Sequence, residues 1–293
     1  MLQALILLSM AAGQQKAFDM NKIGFMQGRL SKQINGKIQA FPVTEWREEF
    51  FTANKLGFSL MEWTLDSDLL DNNPLMTEKG RQEIKELSSE FDLAIESVTG
   101  DCFMQKPFYK NSGSFRQDYI YDFFNVVNSC ALLKIKLIVI PLVDNGSIEN
   151  EYQEDSLFDA IYNIADILKS EKINLAFESD LDPLKLKKFI DRYDNTIAGI
   201  NYDIGNSASS GFDPLDEFFH YGHRIINVHV KDRLYNGTTV PLGEGNANFS
   251  LVFNKLKDYK YNGNYILQTA RCPFGMHSDV LIKYKNMVLN WLN

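Results

Sequence analysis

The chain predicts a (β/α)8 TIM barrel built as a single domain. Three observations carry this reading. The length of 293 residues suits one α/β barrel. Short apolar runs alternate with amphipathic stretches from about residue 22 onward. Most of those runs are continuous rather than alternating, as strands are when helices cover a parallel sheet.

The expected strands are 22–28, 58–65, 93–100, 136–143, 173–179, 197–205, 225–232 and 264–270. Helical patterns lie between them. In "WREEFFTANKLG" the residues Trp46, Phe50, Phe51, Ala53 and Leu56 fall near one side, and Gly57 is a stop signal. "DSLFDAIYNIADILKSEK" is expected to start with Asp155 as N-cap. Pro183 opens the next helix, and "SDVLIKYKNMVLNWLN" closes the chain. The count is about eight β/α units. An open doubly wound sheet is the alternative, but no G-x-G-x-x-G follows any strand.

Composition narrows the function. A net charge of −8 argues against nucleic acid as the main partner, because phosphate backbones need clustered Lys and Arg. Cys102, Cys130 and Cys272 are odd in number and widely spaced, which reads as reduced thiols in a cytoplasmic protein. Residues 1–19 contain "LQALILLSMAAG", which reads either as a signal-like segment or as an extension ahead of the barrel at 20–293. Its apolar run is too short to span a membrane, and no membrane partner is expected. Pairing of the barrel with a second copy is left open.

A TIM barrel works at the C-terminal ends of its strands. There the chain places Arg29, Glu62, Glu96 leading to Asp101, Glu178, Asp203, His229 and Gln268. Taken singly, such a Glu or Asp is commonly a cap or ion-pair partner, and a His a hydrogen-bonded structural residue. Taken together, Glu178, Asp203 and His229 occupy equivalent points of three consecutive units, with the amide of Gln268 from the eighth. This mixed oxygen and nitrogen set suits Mn²⁺, Mg²⁺, Co²⁺ or Zn²⁺.

Motifs spread from about residue 22 to 271 carry a resemblance: "IGFMQGRL", "FPVTEWREEFFTANKLGFSLMEW", "AFESD", "NYDIGNSAS", "VHVKDR", "PLGEGNANF" and "YILQTAR". The chain resembles the xylose-isomerase-like TIM-barrel superfamily, in its sugar phosphate isomerase/epimerase group. The resemblance implies one divalent metal at the barrel mouth, held by Glu178, Asp203, His229 and Gln268. Gln268 departs from the Glu that many members carry, and Asn206 stands where ketohexose epimerases have His. Those enzymes use the first and last Glu as a two-base pair.

The implied chemistry is enolisation of a small sugar or sugar phosphate, with Glu178 as base. Lys231 joins it as a catalytic group. Lys231 and Arg233 flank His229 and are placed to hold a carboxylate or phosphate. For Arg233 and its neighbour Asp232, a loop salt bridge is the alternative. Arg29, Glu62, Asn206 and Arg271 complete the substrate-binding set, with bracing of the last loop as the other role for Arg271, and support of the ligand residues or a place in the barrel interior bonded to Lys or Arg as the other roles for Glu62 and for Glu96. "PLGEGNANFS" reads as a phosphate-binding turn or a turn with no ligand, and Trp46 and Trp63 as sugar-pocket walls or core. Because Gln268 is no base, the weight moves from epimerase toward isomerase or dehydratase. A lyase of the same superfamily and a silent sugar-binding barrel are the alternatives. A DNA endonuclease of this barrel type needs a His-rich zinc cluster, and His220, His223, His229 and His277 are too few to supply it.

Overall fold

The structure, a computed structural model, describes residues 22–111, 113–273 and 275–293. The segment expected to be signal-like or an extension, 1–19, lies outside the described residues. The elements run β1 (Ile23–Met26), α1 (Trp46–Lys55), β2 (Leu60–Thr64), α2 (Glu78–Glu90), β3 (Ala94–Thr99), α3 (Asp101–Gln105), α4 (Gly113–Leu133) and β4 (Leu137–Leu142). The second half continues α5 (Glu151–Tyr162), α6 (Ala165–Glu171), β5 (Asn174–Ser179), α7 (Pro183–Ile190), β6 (Ala198–Asp203), α8 (Ile204–Ser210), α9 (Pro214–Tyr221) and β7 (Ile225–Val230). A two-stranded ribbon of β8 (Asp232–Arg233) and β9 (Thr239–Val240) follows, then α10 (Phe249–Asp258), β10 (Asn264–Leu267) and α11 (His277–Leu292).

Eight parallel strands close in the order β1-β10-β7-β6-β5-β4-β3-β2. Closure pairs Ile23 with Tyr265 and Phe25 with Leu267. This is the expected single (β/α)8 barrel. The strands are shorter than predicted, and Gln268 follows the last residue of β10 rather than lying within it.

Alternation along each strand separates two cores. Outward residues such as Phe177, Val228 and Trp63 pack against the helices. Phe177 meets Phe189 of α7 edge-on, with ring centroids 5.0 Å apart. Inside, Met26, Leu60 and Ile266 form a separate buried cluster. The next inward residues on several strands are polar, so the barrel interior changes from apolar to polar toward the C-terminal mouth.

Four local expectations are corrected. α5 starts at Glu151, not Asp155, because the Asn150 side chain accepts from the Gln153 amide at 3.1 Å and caps it. Phe51 is 48% exposed, since it sits about a quarter-turn from Phe50. Trp46 and Trp63 meet edge-on at 5.5 Å in the outer core and wall no sugar pocket. Glu96 is exposed near the start of β3, where it accepts from Asn264, far from the strand's C-terminal end.

The Gly-rich segment after β9 wraps a carboxylate of its own chain. Asp232 is fully buried and accepts from the amides of Gly243 and Gly245 at 2.9 Å and of Ala247 at 3.1 Å. A Cβ on Gly245 would lie 2.2 Å from Asp232 Oδ1, so the wrap requires glycine there. The amides that a phosphate would need are therefore taken, and Asp232 is not the partner of Arg233. Removing the carboxylate leaves three part-buried amides without their acceptor. Asp232→Ala is expected to lower stability by about 3 kcal/mol, read as a fall in the denaturant midpoint at unchanged slope.

Candidate metal centre and substrate cavity

His229 is the hub of the site. It sits on the inner face of β7, two residues after Asn227, and is fully buried. Its Nε2 lies 2.7 Å from Glu62 Oε1, and its Nδ1 lies 3.0 Å from Glu178 Oε2. Glu62 also accepts from Ser97 Oγ at 2.7 Å and Asn227 Nδ2 at 3.1 Å. Burial by itself lowers an imidazole pKa. Here the Glu62 and Glu178 carboxylates override it and raise His229 to about 10.

Glu178, next to the last residue of β5, is equally constrained. Oε2 accepts from Asn201 Nδ2 at 2.8 Å, and Oε1 from Asn206 Nδ2 at 2.6 Å. Burial pushes this carboxyl up, but His229, Lys231 and Asn201 together hold it below the ordinary carboxylate range. Asp203 pairs in register with His229 across β6 and β7. It caps α8, with Oδ1 accepting from the Asn206 amide at 2.8 Å. Burial raises its pKa against the opposing pull of Lys231.

Ligand atoms of Glu178, Asp203 and His229 all lie within 4.8 Å of one another, and all three residues are buried. Two features fit a cation. His229 Nδ1 and Glu178 Oε2 converge at 3.0 Å, with the Asn201 amide nitrogen 3.0 Å from the first and 2.8 Å from the second. Asp203 Oδ2 is buried without a properly directed hydrogen bond, although Lys231 Nζ lies 2.6 Å away as an ion partner. The Glu62–His229 contact is the carboxylate support that orients metal-binding histidines. Gln268 joins through Lys231, whose Nζ donates to Gln268 Oε1 at 2.9 Å.

Above these residues opens a cavity of about 470 Å³, within the usual size for small-molecule sites. Its walls include Glu178, Asn206, Lys231, Arg233, Gln268 and Asp101. Asn206 Oδ1 accepts from Arg233 Nη1 at 2.8 Å, which ties these two together. Arg233 also donates to Gly237 O, so part of its fork is already used. A wider depression of about 930 Å³ over α2 shares no residue with the site.

Three predicted substrate-binding residues lie outside the cavity wall. Glu62 lies beneath it, committed to His229, Ser97 and Asn227. Arg29 is buried and donates to Thr269 O and Gln39 Oε1, both at 2.8 Å. Burial pushes its guanidinium down to about 9. Arg271 donates to the carbonyls of Gly28 and Ser31. Both arginines tie the loop after β1 to the loop after β10. Asn201 and Asn227 were missed by the sequence reading; each lies two residues before a named site residue, and the period of two was the signal that could have found them. Among the described residues no helix is long and apolar enough to cross a membrane.

Fold and site together define a xylose isomerase-like TIM barrel with an acidic, imidazole-bearing mouth. Residues 50–278 match that family, and the chain belongs to it. It is 22% identical over 160 residues to an inosose dehydratase of Bacillus cereus, covering 47% of this chain and 54% of the relative. The chain thus aligns with about half the length of the curated relatives it matches. Among solved structures it is similar to a D-allulose 3-epimerase from Methylomonas sp., at 15% identity and TM-score 0.72 over 92% of this chain and 98% of the other. It is also similar to the IolI protein with a bound zinc atom, at 14% identity and TM-score 0.71, with the same coverage.

The buried trio yields a direct binding prediction. Adding Mn²⁺ or Zn²⁺ to chelator-treated protein should raise the melting temperature, corresponding to about 2.7 kcal/mol at a hundredfold excess over Kd. Asp203→Asn should abolish the shift. Glu62→Gln should weaken metal affinity by about 10–100-fold without removing it, measured by competition with a chromogenic chelator.

Proposed function

We propose that this barrel is a divalent-metal-dependent isomerase or epimerase acting on a small sugar or sugar phosphate by enolisation. The observation that carries this reading is the buried Glu178, Asp203 and His229 trio, with Glu178 in the wall of a cavity that also presents Lys231, Arg233 and Asn206. The sugar epimerase among the structural neighbours and the zinc bound in IolI support it.

Glu178, Asp203, His229 and Gln268 would hold the metal. Bound there, it would supply Lewis acidity to a substrate carbonyl. Glu178 removes the proton from the neighbouring carbon. The amides of Asn201 and Asn206 direct its oxygens, and the nearby cations keep it ionised and ready to accept. Lys231 presents an ammonium to the cavity and stabilises negative charge on substrate oxygen. Arg233 and Asn206 form one polar wall that recognises hydroxyl or anionic groups.

One observation favours a second reading, a dehydratase. Gln268 stands where a two-base epimerase needs a carboxylate, and an amide takes up no proton at accessible pH. An inosose dehydratase stands among the relatives. Both readings share the enolisation step, so the test follows that step. Incubation with Mn²⁺ in D₂O should place deuterium at the α-carbon of a substrate from a panel of ketoses, sugar phosphates and inososes. Glu178→Gln should slow exchange by about 10²–10⁴-fold. Exchange at full rate in that variant removes Glu178 from the role of base.

A further inference from the structure

One buried acid of the cavity is left unused by the enolisation chemistry. Asp101 follows β3 at the first turn of α3. The turn is tight: a Cβ on Gly100 would meet the Phe103 ring at 2.4 Å, so only glycine lets the chain fold back there. The result directs Asp101 to the cavity wall. Its residue is only 8% exposed. Among the described residues its carboxyl has no hydrogen bond and no ion pair, whereas its neighbour Asp66 accepts from the Phe41 amide at 2.7 Å and Gln105 Nε2 at 2.9 Å.

Position separates Asp101 from the metal trio. In the closed barrel β5 lies midway between β3 and β7. Asp101 therefore stands across the mouth from Lys231, with Glu178 between them. The charged groups around it include Asp66, Glu178, His229 and Lys231, with the Arg29 guanidinium also within its field. Burial, then Asp66 and Glu178, push its carboxyl up to about 7, against the pull of His229 and Lys231. Its oxygens open to the cavity rather than to protein donors, so no hydrogen bond from the chain favours the ionised form. In its protonated form a carboxyl on this cavity wall is a proton donor to oxygen.

We propose that Asp101 is a catalytic acid of this site, giving its proton to a hydroxyl leaving group of the substrate. The proposal rests on the enolisation reading and extends it to β-elimination. Glu178 takes the α-proton, and the electrons of that C–H bond form the new C=C bond. The C–O bond at the β-carbon breaks, and the departing hydroxyl takes the Asp101 proton and leaves as water. Asp101 then regains a proton from solvent, and Glu178 returns its own. No oxidant or further reactant is needed.

The test separates the two proton transfers. The full chain with Mn²⁺ is incubated in D₂O with an inosose and, separately, D-allulose. Deuterium at the α-carbon is read by NMR and loss of water by mass spectrometry. With the inosose, Asp101→Asn should keep exchange within about 3-fold of wild type while water loss falls by about 10²-fold or more. Asp101→Glu should recover part of the loss. Melting curves with and without Mn²⁺ establish that both variants fold and keep the metal centre, and Asp101→Ser replaces Asn if that variant does not fold. Equal loss of exchange and water loss, or loss of neither, overturns the proposal. Exchange by wild type without any loss of water overturns it while leaving the enolisation reading standing. If wild type exchanges neither probe, both readings fail on these substrates' chemistry.

Discussion

An imidazole clamped between two buried carboxylates is the constraint on which the site depends. His229 cannot be buried between Glu62 and Glu178 unless something positive offsets their charge. The two carboxylates raise the imidazole pKa to about 10, so a proton is one species that offsets them, and a divalent ion is another. The clamp explains why Ser97, Asn201 and Asn227 line the barrel interior. Ser97 and Asn227 use their donors on Glu62, and Asn201 uses its amide on Glu178. An apolar residue at any of these positions would leave a buried acceptor short of a partner. The interior polar layer is thus one connected unit, set directly above the apolar cluster of Met26, Leu60 and Ile266.

The barrel was legible in the sequence because its strands are buried on both sides. Continuous apolar runs such as "KLIVIPLV" follow from that burial, and so does the regular return of helical patterns. Glu178, Asp203 and His229 were legible because each stands at the same point of its unit. What stayed hidden depends on contacts between distant parts of the chain. Arg271 meets Gly28 and Ser31 across the closure of the barrel, so its donors belong to carbonyls that no local pattern reveals. Trp46 and Trp63 look alike from sequence whether they wall a pocket or fill a core; only the outward register of β2 decides. Glu62 was legible both as a substrate contact and as a support for the ligand residues, and its bond to His229 beneath the cavity puts it in the second place.

Asp232 shows why motif reading stops short of assignment. A Gly-rich turn before a helix offers amides to any anion. This chain supplies the anion from within, three residues after His229. The wrap joins the end of β7 to the loop before α10 and fixes the stretch that carries Lys231. A loop that reads as a ligand site thereby becomes the support that holds a functional cation in place.

Lys231 and Gln268 decide how much negative charge the mouth presents. An ammonium 2.6 Å from Asp203 and 2.9 Å from an amide oxygen is held by one charge rather than two. A carboxylate at position 268 would bind that ammonium as a second ion partner, and would add another anionic ligand for a metal. Ligand charge count is a main determinant of affinity for hard divalent cations. With the amide, the proposed ligand set keeps two carboxylates and binds a metal more weakly than a three-carboxylate set of the same shape. It also leaves Lys231 less firmly occupied, so its charge is available to an oxygen entering the cavity. In the proposed function, the exchange of one oxygen for one nitrogen group would therefore move the site from holding a metal tightly toward stabilising charge on a substrate, on the wall opposite Asp101.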